Sequence, residues 1–231
     1  MSLSDEIRSK GHWAIVIHPD TYQAKRADLS ELETIINRTR VQLRGWDFPH
    51  FGGTDPIKHR MRSITCSPDW QYYRESWRLY QSGQFTYLIG LHEDWLDRTE
   101  RSWGPPAHLM ERGPLLGVGD SLFRMTEIFE FARRLAVTPL GDEAMHVKVE
   151  VHGLEGRMLW VDNPNRFPME REHRAEIHTF VMEERIPTAQ LVAESRSLAA
   201  DWARELFTRF GWSPPIEMLR GQQDELRWQA S

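Results

Sequence analysis

Apolar and polar positions alternate in short blocks along this chain, and most blocks predict one element. The run His12-Trp13-Ala14-Ile15-Val16-Ile17-His18 is short, β-branched and closed by Pro19, which predicts a buried strand. Leu29, Leu32, Ile35 and Ile36 then share one helical face. Ser30 and Glu33 have the spacing of a capping box, and Asp28 with Glu31 offers a second register. Val41 and Leu43 alternate with Gln42 and Arg44, as a strand would. Regular structure is expected to stop at Gly52-Gly53.

Ser67-Pro68-Asp69 reads as a helix start, with a capping serine, a proline at the first helical position and an acid at the positive end. From it Trp70, Tyr73, Trp77 and Tyr80 step along one face, and Gly83 stands where a C-terminal cap belongs, predicting an aromatic helix over residues 67–83. Phe85, Tyr87, Ile89 and Leu91 alternate strictly and predict a strand reaching His92. Residues 97–113, with Pro105-Pro106, read as a loop.

Residues 121–137 are helical in pattern but apolar nearly all round, which places that helix in the middle of a fold; Arg133 and Arg134 favour its last turn. Met145, Val147, Val149 and Val151 alternate with His146, Lys148, Glu150 and His152; a turn at residues 153–156 and a return at 157–161 predict a hairpin. Residues 177–186 read as one more strand. A final helix repeats Leu198, Trp202, Leu206 and Phe210 and stops at Gly211 and Pro214-Pro215. About six strands and four helices in mixed order predict an α+β single domain, with a mixed, largely antiparallel sheet, over residues 12–212. A polar segment, 1–11, precedes it, and a tail, 213–231, is left for a partner. Strict β–α alternation is absent, so a doubly wound dinucleotide fold is a poor second choice.

Composition narrows the function classes. The 231 residues carry a net charge of −5, which argues against a globally basic nucleic-acid binder and leaves room for a local patch. No apolar run approaches the roughly 20 residues of a membrane span. Met1 to Lys10 lacks the apolar stretch of a signal peptide, so a cytoplasmic location is expected. Cys66 is the sole cysteine, which excludes an intrachain disulfide and multi-cysteine metal sites.

The candidate chemistry comes from seven places. Gly117-Val118-Gly119 before a helix has two glycines of a phosphate-cradling loop, but the nucleotide fingerprint needs a third where Leu122 stands, and no Walker pattern exists; a tight turn is the plainer reading. His18, His92 and His152 each end a predicted strand, so neighbouring strands could gather them round a metal with Glu93 or Asp94; no closely spaced His pair supports this, and no cofactor is expected. Pro68-Asp69 begins a nuclease-like pattern that no Asp-x-Lys or Glu-x-Lys completes, and Cys66 has no nucleophile motif around it.

Arg74 and Arg78, beside the aromatic stripe, could help it stack on bases; burial of the stripe against a sheet is the competing reading. Lys58, His59, Arg60 and Arg62 join Arg38, Arg40 and Arg44 as the one dense positive region, a phosphate or acidic-partner contact or else a solvated face. In Arg44-Gly45-Trp46-Asp47-Phe48-Pro49-His50 a short rigid loop crowds Arg44, Asp47 and His50 between Trp46 and Phe48. An internal Arg44–Asp47 lock is one use, and a ligand or partner pocket is the other.

Three stretches carry a resemblance: Leu43 to His50, Trp77 to Phe85 (with Tyr80-Gln81-Ser82-Gly83-Gln84-Phe85) and Thr126 to Phe131. They resemble a group of uncharacterised bacterial proteins with an R-G-W-D-[FY]-P-H motif and a Y-x-S-G-Q-F motif, over roughly Trp13 to Trp212. Some of those proteins accompany AlbA-like or Schlafen-like nucleic-acid-binding modules. The resemblance implies a bacterial cytoplasmic domain and brings no catalytic residues. With every catalytic pattern missing and Trp abundant, a non-catalytic binding or adaptor subunit of a bacterial assembly, with a defence role, is expected, its partner another protein subunit. The alternatives are a small-ligand or nucleotide-sensing domain or unfamiliar enzyme using the Arg44–His50 loop, and a local nucleic-acid contact through residues 58–62 and the aromatic helix.

Overall fold

Alternate apolar residues pointing to one side build the sheet on which everything else is mounted. The computed structural model describes residues 2–51, 55–70, 72–96, 104–163 and 165–226. The expected stop at Gly52-Gly53, the start of the 97–113 loop and the last residues of the tail lie outside them. In chain order the first elements are α1 (Leu3–Arg8), β1 (His12–Pro19), α2 (Leu32–Thr39), β2 (Lys58–Arg60), β3 (Ser63–Cys66) and β4 (Asp69–Trp70). Then come β5 (Tyr73–Tyr80), β6 (Phe85–Gly90), α3 (Ala107–Met110), β7 (Leu115–Gly117) and α4 (Val118–Ala136). The last are β8 (Ala144–His152), β9 (Met158–Trp160), β10 (Thr179–Pro187), α5 (Thr188–Thr208) and α6 (Ile216–Gln223).

The main sheet runs β10-β8-β1-β6-β5-β3-β2, with β4 on β5, and every pairing is antiparallel. A separate parallel pair joins β7 to β9. Trp13, Ile15 and Ile17 of β1 face the same side as Val147, Val149 and Val151 of β8 and Phe85, Tyr87 and Ile89 of β6, all of them buried. On that side lies α4, whose Phe131 ring sits 4.5 Å from Phe85. Helix α5 packs beside α4 and against β8 and β10, with Phe129 edge-on to Trp202 at 4.9 Å, and α6 contacts both helices. One apolar core runs through sheet and helices, so the chain is a single α+β domain, as expected.

The aromatic helix expected over 67–83 is instead β4, β5 and the turn into β6. Its capping signal is local and worth about 1 kcal/mol. Against it, Glu75, Trp77 and Leu79 alternate inward, and both ladder sides of β5 are filled by β3 and β6. Gly83 therefore closes a hairpin and caps no helix; its φ is 88°, and a Cβ there would lie 2.3 Å from the Leu140 carbonyl oxygen.

Several smaller expectations also change. The β8 hairpin with 157–161 does not form, because β1 and β10 already occupy both edges of β8, and β9 pairs with β7. The strand at Val41 shrinks to a single bridge with Phe48. The Ser30–Glu33 capping box gives way to the other register, in which the Asp28 N–H donates to Glu31 at 2.7 Å. The polar start holds α1, which lies on the outward face of the sheet through a Ser4–Ser76 bond and a Glu6–Arg74 ion pair. The tail folds back as α6, whose buried Gln223 donates to the Thr126 hydroxyl at 2.8 Å. Among the described residues no helix is long and apolar enough to cross a membrane.

Cross-strand pairing places His12 opposite His152, with rings stacked at 4.6 Å, and His18 opposite His146, stacked at 4.7 Å. Burial pushes the pKa of His12 below its ordinary 6.5. The unfolded chain thus binds a proton at a pH where the folded chain resists it, and the His12 contribution to stability is lost as pH falls below 6.5. The urea midpoint should drop on acidification from neutral pH, and a His12→Gln variant should show a shallower drop.

Candidate ligand cavity at the amino end of helix α4

Strand β7 runs straight into α4, and its last residue, Gly117, offers no capping side chain. The first N–H groups of such a helix are positive and unpaired until something supplies acceptors. Here carboxylates from distant segments do so. Gly117 donates to Glu93 Oε1 at 2.7 Å, while Gly119 and Asp120 donate to the two oxygens of Asp162, each at 2.7 Å. A Cβ on either glycine would lie 2.7 Å from an Asp162 oxygen, so both positions exclude side chains to let the carboxylate in. The glycine pair does cradle an anion, and that anion belongs to the chain. Burial raises the pKa of both Glu93 and Asp162.

Arg44 joins this floor to the core. Its Nε and Nη2 donate to the two oxygens of Glu127 at 3.0 and 2.6 Å, and its Nη1 donates to Asp120 at 2.5 Å. Burial alone would raise the Asp120 pKa, but Arg44 beside it holds it well below the carboxylate range. The expected Arg44–Asp47 lock does not form; Asp47 accepts from Arg40 at 3.2 Å and Gln42 at 2.6 Å instead. His50 turns inward, its Nδ1 2.7 Å from Glu75 Oε2, an oxygen that also accepts from the Tyr87 hydroxyl. Burial opposes ionisation of Glu75, yet His50 keeps its pKa lowered. Trp77 Nε1 donates to the His50 carbonyl at 2.6 Å. Of the loop residues singled out by sequence, Arg44 and Trp46 reach open space, whereas His50 is locked in the core.

That open space is a cavity of ≈ 1330 Å³ between the Leu43–Trp46 segment, the amino end of α4, residues 161–163 and 165–173, and α6. Trp46 and Phe167 stand at its rim, 39% and 94% exposed. Phe123 and Trp212 line it as well. Two polar side chains on its wall are nearly buried, His173 at 7% and Gln222 at 5% exposure. Neither has a side-chain hydrogen bond among the described residues, although the His173 ring lies 6.2 Å from that of Trp212.

The remaining candidates scatter. His18 and His152 sit at opposite ends of β1's pairing with β8, and His92 lies beside Glu93 (3.3 Å) and Asp120 (3.9 Å), so the three-histidine site does not assemble. The separation arises because antiparallel strands bring opposite ends together. Among the described residues no three metal-type donors converge. Trp77 and Leu79 face the core while Arg74 and Arg78 face outward, so these arginines do not share a face with Trp77 as the helical stripe required. Arg74 pairs with Glu6 and Asp69 and lies over Trp95. Lys58, Arg60 and Arg62 do stand together, exposed on the β2–β3 hairpin around Met61, but Arg44 leaves that patch for its buried carboxylates.

Sequence reasoning missed Asp162, His173, Gln222, Phe123 and Trp212. The only available signal was the Gly117–Gly119 pair, which marks a close approach without naming what approaches. No family model matches the chain, and neither a curated protein nor a solved structure matches it.

Proposed function

We propose that this chain is a small-ligand-binding domain whose ligand occupies the cavity at the amino end of α4. One observation carries the reading: His173 and Gln222 are nearly buried, face that cavity and have no hydrogen-bond partner among the described residues. Their polar atoms open onto the cavity, and each hydrogen bond a ligand makes to them adds about 0.5–1.5 kcal/mol to binding. Aromatic walls with a few convergent polar groups are the usual make-up of such sites, and ordinary pockets hold about 300–1,000 Å³. This cavity exceeds that range because one side is open to solvent.

The test is a thermal-shift screen of the full chain against a metabolite library. A ligand at about 100 times its Kd should stabilise the fold by about 2.7 kcal/mol. Gln222→Leu should leave stability within about 0.5 kcal/mol while weakening any hit at least several-fold. A library without hits, or hits indifferent to Gln222→Leu and His173→Ala, would sink the proposal.

A second reading, an adaptor docked on an acidic partner or on nucleic acid, is favoured by the β2–β3 hairpin. There Lys58, Arg60 and Arg62 surround Met61, which is 90% exposed. Binding through this tip should weaken steeply as salt rises, and charge reversal at Arg60 and Arg62 should abolish it without loss of stability. Salt-independent capture would count against it. Both readings assume a bacterial cytoplasmic setting, in keeping with a lone, buried Cys66.

A further inference from the structure

We infer that the cavity selects a planar aromatic cation, an aromatic body bearing an amine or amidine, and rejects phosphates and carboxylates of the same shape. This rests on the ligand-binding reading above and adds the ligand's charge. A helix start beside two glycines would ordinarily attract an anion. In this chain the N–H groups of Gly117, Gly119 and Asp120 are already bonded to Glu93 and Asp162, so an anionic ligand would find no donors there. It would instead meet the Asp162 and Asp120 carboxylates, both on the cavity floor. Arg44, the cation of that floor, is held from behind by both oxygens of Glu127 and is shared with Asp120. Asp120, Glu127, Asp162 and Glu93 outnumber the two guanidiniums nearby, Arg44 and the buried Arg124 beside Glu127, which leaves the floor net negative, while each Asp oxygen keeps a lone pair for a ligand N–H.

The walls add ring faces and neutral polar groups. Gln222 and His173 each carry both a donor and an acceptor, so they serve a ligand of either charge and leave the choice to the floor. Trp46, Phe123 and Trp212 offer ring faces, which attract planar cations through the aromatic quadrupole. Two positive side chains also line the cavity: Arg166, engaged by Glu225, and Arg171, exposed to solvent. Solvent screens an exposed Arg171 far more than it screens the floor.

The experiment compares tryptamine with indole-3-propionate, two probes sharing an indole and a two-carbon arm but ending in opposite charges. Each is titrated calorimetrically into the full chain at neutral pH and low salt. Tryptamine should bind about tenfold or more tighter than the carboxylate, a difference of about 1.4 kcal/mol. Asp120→Asn, which keeps the side-chain shape, should shrink that preference several-fold, with circular dichroism confirming the fold. If that variant does not fold, the wild-type ratio decides alone. Equal affinities, a preference for indole-3-propionate, or no binding of either at millimolar concentration would overturn the cation assignment. The cavity reading survives any of those results if the metabolite screen yields neutral or anionic hits sensitive to Gln222→Leu, and falls with it if the screen yields none.

Discussion

Glu127→Ala should destabilise the fold by about 3–5 kcal/mol, the usual consequence of removing one partner from a buried ion cluster. Against a total stability of about 5–15 kcal/mol, that leaves a marginal protein. Glu127 is fully buried and takes two hydrogen bonds from Arg44, with Arg124 Nη1 3.4 Å away. Arg124 is itself buried, with Nε and Nη1 lacking hydrogen bonds and its guanidinium 5.8 Å from the Phe48 ring. Without Glu127 two guanidinium groups would remain in the core, with Asp120 beside Arg44 and only the more distant charge of Glu75 facing Arg124. The double variant Arg44→Met/Glu127→Leu should lose less than Glu127→Ala alone, because an apolar pair leaves no orphaned charge from Arg44. Urea unfolding of the three proteins measures this. A loss under about 1 kcal/mol for Glu127→Ala would mean that water reaches the cluster and that Arg44 is free to serve a ligand.

Leu79→Ala should cost about 2–5 kcal/mol, and clearly more than Tyr80→Ala. Leu79 is fully buried, pairs across the sheet with Ile64 and Phe85, and points the same way as Trp77. Tyr80 lies half-buried at the end of β5. On a helix, the stripe of Trp70, Tyr73, Trp77 and Tyr80 would make Tyr80 the costly position and leave Leu79 off the packed face. Denaturant midpoints of the two variants therefore separate strand from helix without any structure determination. A larger loss at Tyr80 than at Leu79 would restore the helical register.

The contrast at residues 67–83 shows where local reasoning ends. Ser67-Pro68-Asp69 is a sound helix start, and an aromatic period of three to four is real in the sequence. Glu75 hid the strand period, since a buried acid interrupts the apolar alternation of Trp77 and Leu79. Only the partners of Glu75, His50 and Tyr87, make its burial tolerable, and they arrive from a distant loop and the next strand. The Arg44–His50 segment was legible as a tight loop, but its internal Arg44–Asp47 lock does not form: Asp47 pairs with Arg40 and Gln42, and His50 with Glu75. Its partners were not legible: Arg44 reaches 76 and 83 residues onward to Asp120 and Glu127.

Order along the chain determined the strands at His12–Pro19, Phe85–Gly90, Ala144–His152 and Thr179–Pro187, and the long helices α4 and α5, because burial of one face imposes a period that survives in the residues themselves. The same order determined that α4 would be central, since a helix apolar on all sides has nowhere else to go. Tertiary structure alone decided which edges pair, why Met158–Trp160 left β8 for β7, and what fills the glycine cradle. It also decided that His173, Gln222 and Asp162 share one cavity with Arg44 and Trp46. Periodicity records how each residue meets its own element, whereas a cavity is bounded by segments far apart in sequence, and no local pattern encodes their meeting.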